Sequence, residues 1–420
     1  MTTDTLRARV LEAIREDEVI ALAKDLVRIP SFTTEETPAA HFLASYLEGR
    51  GIPAELQEVE PGRFQVIGRI RGRAGTGGGR SLMLNGHLDI DPLVEGGARD
   101  PWTPTVEGDR LYGHGIFNMK GGVTAIVSAA TALVRAGVRL RGDVVVACVA
   151  GELQGGVGTA RLLEAGVRTD YAVVTEPSGA DVITTTHCGV VHLAVHTFGF
   201  SAHISRKETG VDAIQKMLAV IDAVNTMKFS VPPRPDLPGA PRVLVGSIIG
   251  GRGRDYELRG PYGVSDYCTI LVDIRFLPGQ TVAEVRQDVV RALERLRAED
   301  PELRYEIEIP PGRPFKGMAI PMPAMDVPLD APIVERVRAS YRAVSGRDVS
   351  QIGIVEPMCY AGNDGSRLAA AGIPSCRYGP GDGITDPAAR YHIARDQFIS
   401  ISDVMTVTRV LGLTALDICA

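Results

Sequence analysis

The chain reads as an α/β protein, a mostly parallel sheet covered by helices on both faces and interrupted by an inserted domain of ferredoxin-like β-α-β-β-α-β plan. Three observations predict this. Short apolar runs alternate with helical periods over most of the 420 residues. Those runs are apolar throughout, as strands buried on both faces require. Near Cys188 the pattern changes to alternating, half-buried strands. At 45% hydrophobic and 23% charged, a chain of this length exceeds one compact domain.

From Thr5 to Val27 apolar residues recur at three- and four-residue intervals, which predicts one amphipathic helix ended by Pro30, with a second over Ala39–Leu47. Phe64–Ile70, Ser81–Leu84, Asp143–Val149 and Tyr171–Thr175 read as strands, with helices over Gly121–Ala136 and Gly158–Ala165. The insert follows as strand Val190–His196, helix Gly210–Val224, strands Val243–Ile249 and Tyr267–Phe276, helix Thr281–Ala298 and strand Arg304–Ile309, with Val231–Pro241 as a proline-rich loop. After Pro310, Pro311 and Pro314 the alternation resumes. Residues 1–187 and 311–420 are therefore expected to form one discontinuous catalytic domain around an insert of residues 188–310.

A net charge of −6 with interspersed signs argues against a nucleic-acid surface. The six scattered cysteines show no CxxC pair, so reduced thiols fit better than a disulfide framework. Residues 1–30 lack a signal-peptide apolar core, and no uninterrupted apolar stretch is long enough to span a membrane. A soluble, cytoplasmic protein is the expectation.

Ligand sites in such sheets collect outside the carboxyl ends of strands. His87 and Asp89 stand there in Asn85-Gly86-His87-Leu88-Asp89, although a His-x-Asp alone reads first as a structural histidine. The glycine-rich Gly113–Gly122 segment, with His114, Asn118 and Lys120, meets neither the Walker nor the GxGxxG spacing and reads as a tight turn aiming a side chain into a cleft. Glu152 and Glu176 each follow a strand, where a loop carboxylate is solvated surface or acid-base machinery. His203 precedes a helix in the insert, and His392 follows a glycine-proline loop.

Together and in this order these clusters resemble the zinc peptidase family of aminoacylase, acetylornithine deacetylase, succinyl-diaminopimelate desuccinylase and carboxypeptidase G. The resemblance runs from about residue 20 to 405, through Gly86-His87-Leu88-Asp89, Met119-Lys120-Gly121-Gly122, Gly155-Gly156, Thr175-Glu176-Pro177, Ser201-Ala202-His203, Asp273-Ile274-Arg275 and Gly379-Pro380-Gly381. It implies a metallopeptidase-like catalytic domain and a lid that dimerises. It also implies His87, Glu176 and His392 as metal ligands, Glu152 as general base, Asp89 as the aspartate supporting His87, and His203 as a group reaching the partner subunit's site. Arg275 and Tyr262 are assigned to substrate contact, Tyr262 standing where the family carries an asparagine.

Two ligand positions depart from the family. Asn118 falls on the bridging aspartate and Leu153 on the second glutamate of a Glu-Glu pair. Neutral Asn118 cannot offset the repulsion of two dications, and Leu153 has no donor atom. One divalent ion per chain, Mn²⁺, Zn²⁺ or Co²⁺, is therefore expected at His87 and Glu176, with Asn118 or His392. The implied reaction is hydrolysis of a small-molecule C–N bond, an amide of an N-acyl amino acid or related compound. Hydrolytic deamination of an electron-poor aromatic amine and a catalytically inactive dimeric binding module are the alternatives. No nucleic acid or membrane partner is expected, and a homodimer through residues 188–310 is.

Overall fold

The computed structural model describes residues 2–73, 79–255, 262–312, 318–381 and 395–420. They fall into two compact units, Met1–His187 with Met325–Cys359 and Asn363–Ala420, and Cys188–Ala324 with Tyr360–Gly362.

The first unit is built on an eight-stranded sheet in the order Ala54–Glu60, Arg63–Ile70, Val144–Val149, Leu82–His87, Tyr171–Val174, Ser375–Arg377, Val182–Thr184, Gln351–Gly353. The run from Val144–Val149 to Ser375–Arg377 is parallel, while Ala54–Glu60 and Arg63–Ile70 join antiparallel at one side. Because side chains alternate across a strand, Leu82, Leu84, Val144 and Val146 enter one apolar cluster and Met83, Val145 and Ala147 another. Helices Glu16–Val27, Gly121–Arg135, Pro332–Ser345 and Ile401–Cys419 fill the first cluster, and Val157–Glu164 and Gly365–Ala370 cover the second. Two covered faces explain why these strands read as apolar runs.

The expected first helix is two, Thr3–Ala13 and Glu16–Val27. Ile14 and Arg15 are extended, and Glu16, Asp17 and Glu18 restart the helix with acid in its first turn, where the backbone dipole favours it. The strand expected to stop at Leu84 runs on to His87. Strand Ala54–Glu60 and the hairpin Thr105–Glu107 with Arg110–Tyr112 were not expected, since their exposed positions carry no apolar run. The 20-residue stretch Ile116–Arg135 is long and apolar enough to cross a membrane, and most of it is buried inside this unit. All six cysteines are buried, and none is in a disulfide.

The second unit has a four-stranded antiparallel sheet in the order Arg242–Gly251, Tyr267–Phe276, Gly189–Phe198, Arg304–Glu308. Helices Ala213–Asn225 and Val282–Glu299 pack on one face over Val191, Leu193, Val195, Ile270, Val272 and Ile274. Element order and strand order together give the ferredoxin-like plan. The unit extends past the expected limit at residue 310 to Ala324, because Met322 pairs backbone to backbone with Val190 and packs there with Met318.

Candidate metal centre

Parallel strands bring residues distant in sequence to one edge of a sheet. His87 lies level with Val149, and Asn85 with Val174, in the ladders on either side of Leu82–His87. The chain continues past Val149 into a turn carrying Glu152 and past Val174 to Glu176. One donor atom each of His87, Glu152 and Glu176 lies within 4.8 Å of the others, and all three residues are buried.

His87 anchors the group. Its Nδ1 lies 2.8 Å from the backbone carbonyl of Asp89, an arrangement that places a proton on Nδ1. Its Nε2 faces Glu176 Oε1 at 3.0 Å and Asn118 Oδ1 at 3.2 Å. Burial opposes a charge on this ring, yet the carboxylates of Glu176, Asp89 and Glu152 hold its pKa well above the ordinary value. A ring nitrogen, Nε2, facing one carboxylate and one amide oxygen in a buried site is a donor set that fits a divalent cation in place of a proton on Nε2. Burial first, and Glu176 second, push the Glu152 carboxyl well above the usual carboxylate range.

The ring of His87 is held by the Asp89 main chain, while the Asp89 carboxylate stands 3.6 Å from Nδ1. That carboxylate accepts the backbone N–H groups of Glu152 at 3.0 Å and Leu153 at 2.9 Å. One residue thus fixes both the histidine and the turn bearing Glu152. Gly151 and Gly156 flank the turn with φ of 71° and 76°, a region side chains rarely enter. Buried Arg63, paired with buried Glu36, donates to Gln154 Oε1 at 2.6 Å and ties down its far end.

Asn118 is buried beside His87, in a backbone conformation outside the helical region. Leu153 contributes its N–H to Asp89 and offers no side-chain ligand. His392 lies outside the described residues. His203, Arg275 and Tyr262 belong to the inserted unit. His203 is exposed, with Nδ1 2.8 Å from the Ser205 hydroxyl, and a bridge to Gly263 sets it beside Tyr262, itself 72% exposed. Arg275 is clamped by both carboxylate oxygens of Asp273 at 2.9 and 2.8 Å.

Sequence reasoning missed Asp364. It is buried next to Gly156, whose Cβ would come 2.5 Å from its carboxylate. Burial raises its carboxyl to about 7, against the opposing influence of His87, and it in turn raises Glu152. In sequence it is an aspartate between Asn363 and Gly365, indistinguishable from a loop residue.

A family profile described as peptidase family M20/M25/M40 matches residues 83–417. The N-formyl-4-amino-5-aminomethyl-2-methylpyrimidine deformylase of Bacillus subtilis (strain 168) is 27% identical over 404 residues, covering 87% of this chain and 88% of that one. The acetylornithine deacetylase of Proteus mirabilis (strain HI4320) is 29% identical over 331 residues, covering 75% and 79%. The solved M20 family metallo-carboxypeptidase of Sulfolobus solfataricus superposes with a TM-score of 0.72 over 95% of this chain and 98% of that one, at 16% identity, a likeness of fold.

Proposed function

The chain belongs to peptidase family M20/M25/M40, and from that premise we propose that it hydrolyses the amide C–N bond of a small N-acyl compound with one divalent ion per chain. The observation that carries this reading is the buried grouping of His87, Glu152 and Glu176 within 4.8 Å at the carboxyl edge of the sheet. Relatives named as a deformylase and a deacetylase support a small acyl group over an ordinary peptide.

His87 and Glu176 would hold the ion, with the Asn118 oxygen beside them. When bound, a divalent ion lowers the pKa of a water and polarises a carbonyl. Glu152 then takes one proton from the attacking water as its oxygen adds to the acyl carbon. The same carboxyl returns that proton to the leaving nitrogen as the C–N bond breaks. A carboxylate raised above its usual range is a stronger base for the first half of this task. Asp89 keeps the base in place through two N–H contacts on its turn.

The inserted unit is read as a dimerisation surface. Its edge strand Arg242–Gly251 exposes Leu244 and Ile248, and Phe200, Ile204 and Tyr262 are exposed around His203. Apolar side chains on an open edge favour pairing with a second copy. His203 is read as an oxyanion donor to the partner chain.

The reading is tested by assaying N-formyl, N-acetyl and N-succinyl amines and amino acids with Mn²⁺, Zn²⁺ or Co²⁺ added. Metal-dependent release of the free amine is expected. Stoichiometric metal without turnover of any such amide would contradict it.

A further inference from the structure

Arg377 is among the largest side chains buried completely in the first unit, at 1% exposure. No carboxylate among the described residues lies within ion-pair distance of it, and its Nε has no hydrogen-bond partner there. Two other buried cations show how such a charge is ordinarily accommodated. Arg63 faces buried Glu36 at 2.5 Å. Lys120 can shed its proton, and burial lowers its pKa to about 7. A guanidinium keeps its charge at any working pH, so Arg377 is a cation held in the interior at a cost in stability.

Its surroundings show what the cost accompanies. Strand Ser375–Arg377 runs parallel to Tyr171–Val174, with Arg377 level with Val174, and Glu176 follows two residues beyond. The Nη2 of Arg377 donates to the carbonyl of Pro177, the residue after Glu176. Proline has no N–H, so that carbonyl is the only backbone group by which position 177 can be anchored. The chain past Arg377 grips the same turn. Gly379 accepts the Ser178 N–H at 3.3 Å and donates to the Ser178 hydroxyl at 3.0 Å. A Cβ on Gly379 would lie 2.2 Å from the Thr175 carbonyl and 2.5 Å from that of Glu176, so only glycine permits this approach. Residues 377–379 thus clasp the turn that carries Glu176, and the bond from Arg377 is the charge-assisted one.

We infer that Arg377 is a positioning residue for Glu176: through the Pro177 carbonyl it fixes the carboxylate opposite Nε2 of His87, where the ion would be held. This role rests on the reading of His87 and Glu176 as ligands.

The test compares ion affinity with stability. Mn²⁺, Zn²⁺ and Co²⁺ are each titrated calorimetrically into the metal-free full chain, and metal-free melting temperatures are measured alongside. Arg377→Met should weaken the ion roughly tenfold or more, the usual effect of losing a group that orients a ligand. Its metal-free melting temperature should be no lower than the parent's, because an unpaired buried charge gives way to an apolar side chain. Arg377→Lys, which keeps the charge and one donor, should lose affinity by a smaller factor. An Arg377→Met chain that binds the ion as tightly as the parent overturns the role. One that fails to fold, or melts lower without metal, also overturns it and makes Arg377 a structural residue. The parent's own ion binding tests the ligand reading, and the ratio of variant to parent tests this role. A parent that binds no ion therefore sinks both, whereas an unchanged ratio sinks this role alone.

Discussion

In the proposed reaction Glu152 is the base, a carboxylate that burial and Glu176 hold well above its usual range. Glu152→Gln keeps the size and hydrogen bonding of the side chain but removes the proton acceptor. Turnover should fall by roughly two orders of magnitude or more, with metal content nearly unchanged by elemental analysis. Loss of metal as the main effect would make Glu152 a ligand instead. Asp364 offers a second test through stability. Its folded-state carboxyl is raised from 3.8 to about 7, so the folded protein holds the proton more tightly than the unfolded chain. Stability should therefore fall as pH rises across that window. Asp364→Asn should flatten the loss, and melting curves at pH 5 and pH 8 should show the variant gaining on the parent at the higher value. A larger penalty at pH 8 would mean that Asp364 is ionised and paired. His87, Glu152 and Glu176 were legible because each follows an apolar strand in a recognisable motif. Asp364 was not, because burial of a loop carboxylate depends on contacts that no local pattern records.

The turn between strand Val144–Val149 and helix Val157–Glu164 is the element on which the site depends. Asp89 accepts two of its N–H groups, and Arg63 reaches its Gln154 from a buried pair with Glu36. Asp89→Ala would orphan one buried and one half-buried donor, each bond to a charged acceptor being worth about 1.5–3 kcal/mol, so denaturant unfolding should show about 3 kcal/mol lost. Glu36→Ala leaves Arg63 buried without its main partner and should cost roughly 3–5 kcal/mol. Losses within experimental error in either case would mean that these contacts do not hold the turn. The fold was readable where periodicity was strong, as in Gly121–Arg135 and Tyr267–Phe276. It was unreadable in Ala54–Glu60, an edge strand of alternating charge, and at Ile14, where a helix breaks without proline or glycine. Register between strands, which sets Glu176 beside His87, is a tertiary property that the sequence only hinted at through motif order.

For the whole molecule, a homodimer through the inserted unit with His203 serving the partner chain predicts complementation. Mixing inactive His203→Ala with inactive Glu152→Gln under conditions that exchange subunits should restore activity, because one cleft of the heterodimer then has both groups intact. A mixture that stays dead despite proven exchange would place His203 in service of its own chain, or outside catalysis. The proposed turnover rests on how many ions the site holds. Asn118 cannot supply a bridging charge, and the Leu153 side chain offers no ligand atom. Elemental analysis of the purified protein, after dialysis against metal-free buffer, measures that number directly. One tightly held divalent ion per chain is expected, lost in His87→Ala; two per chain would contradict the single-ion site.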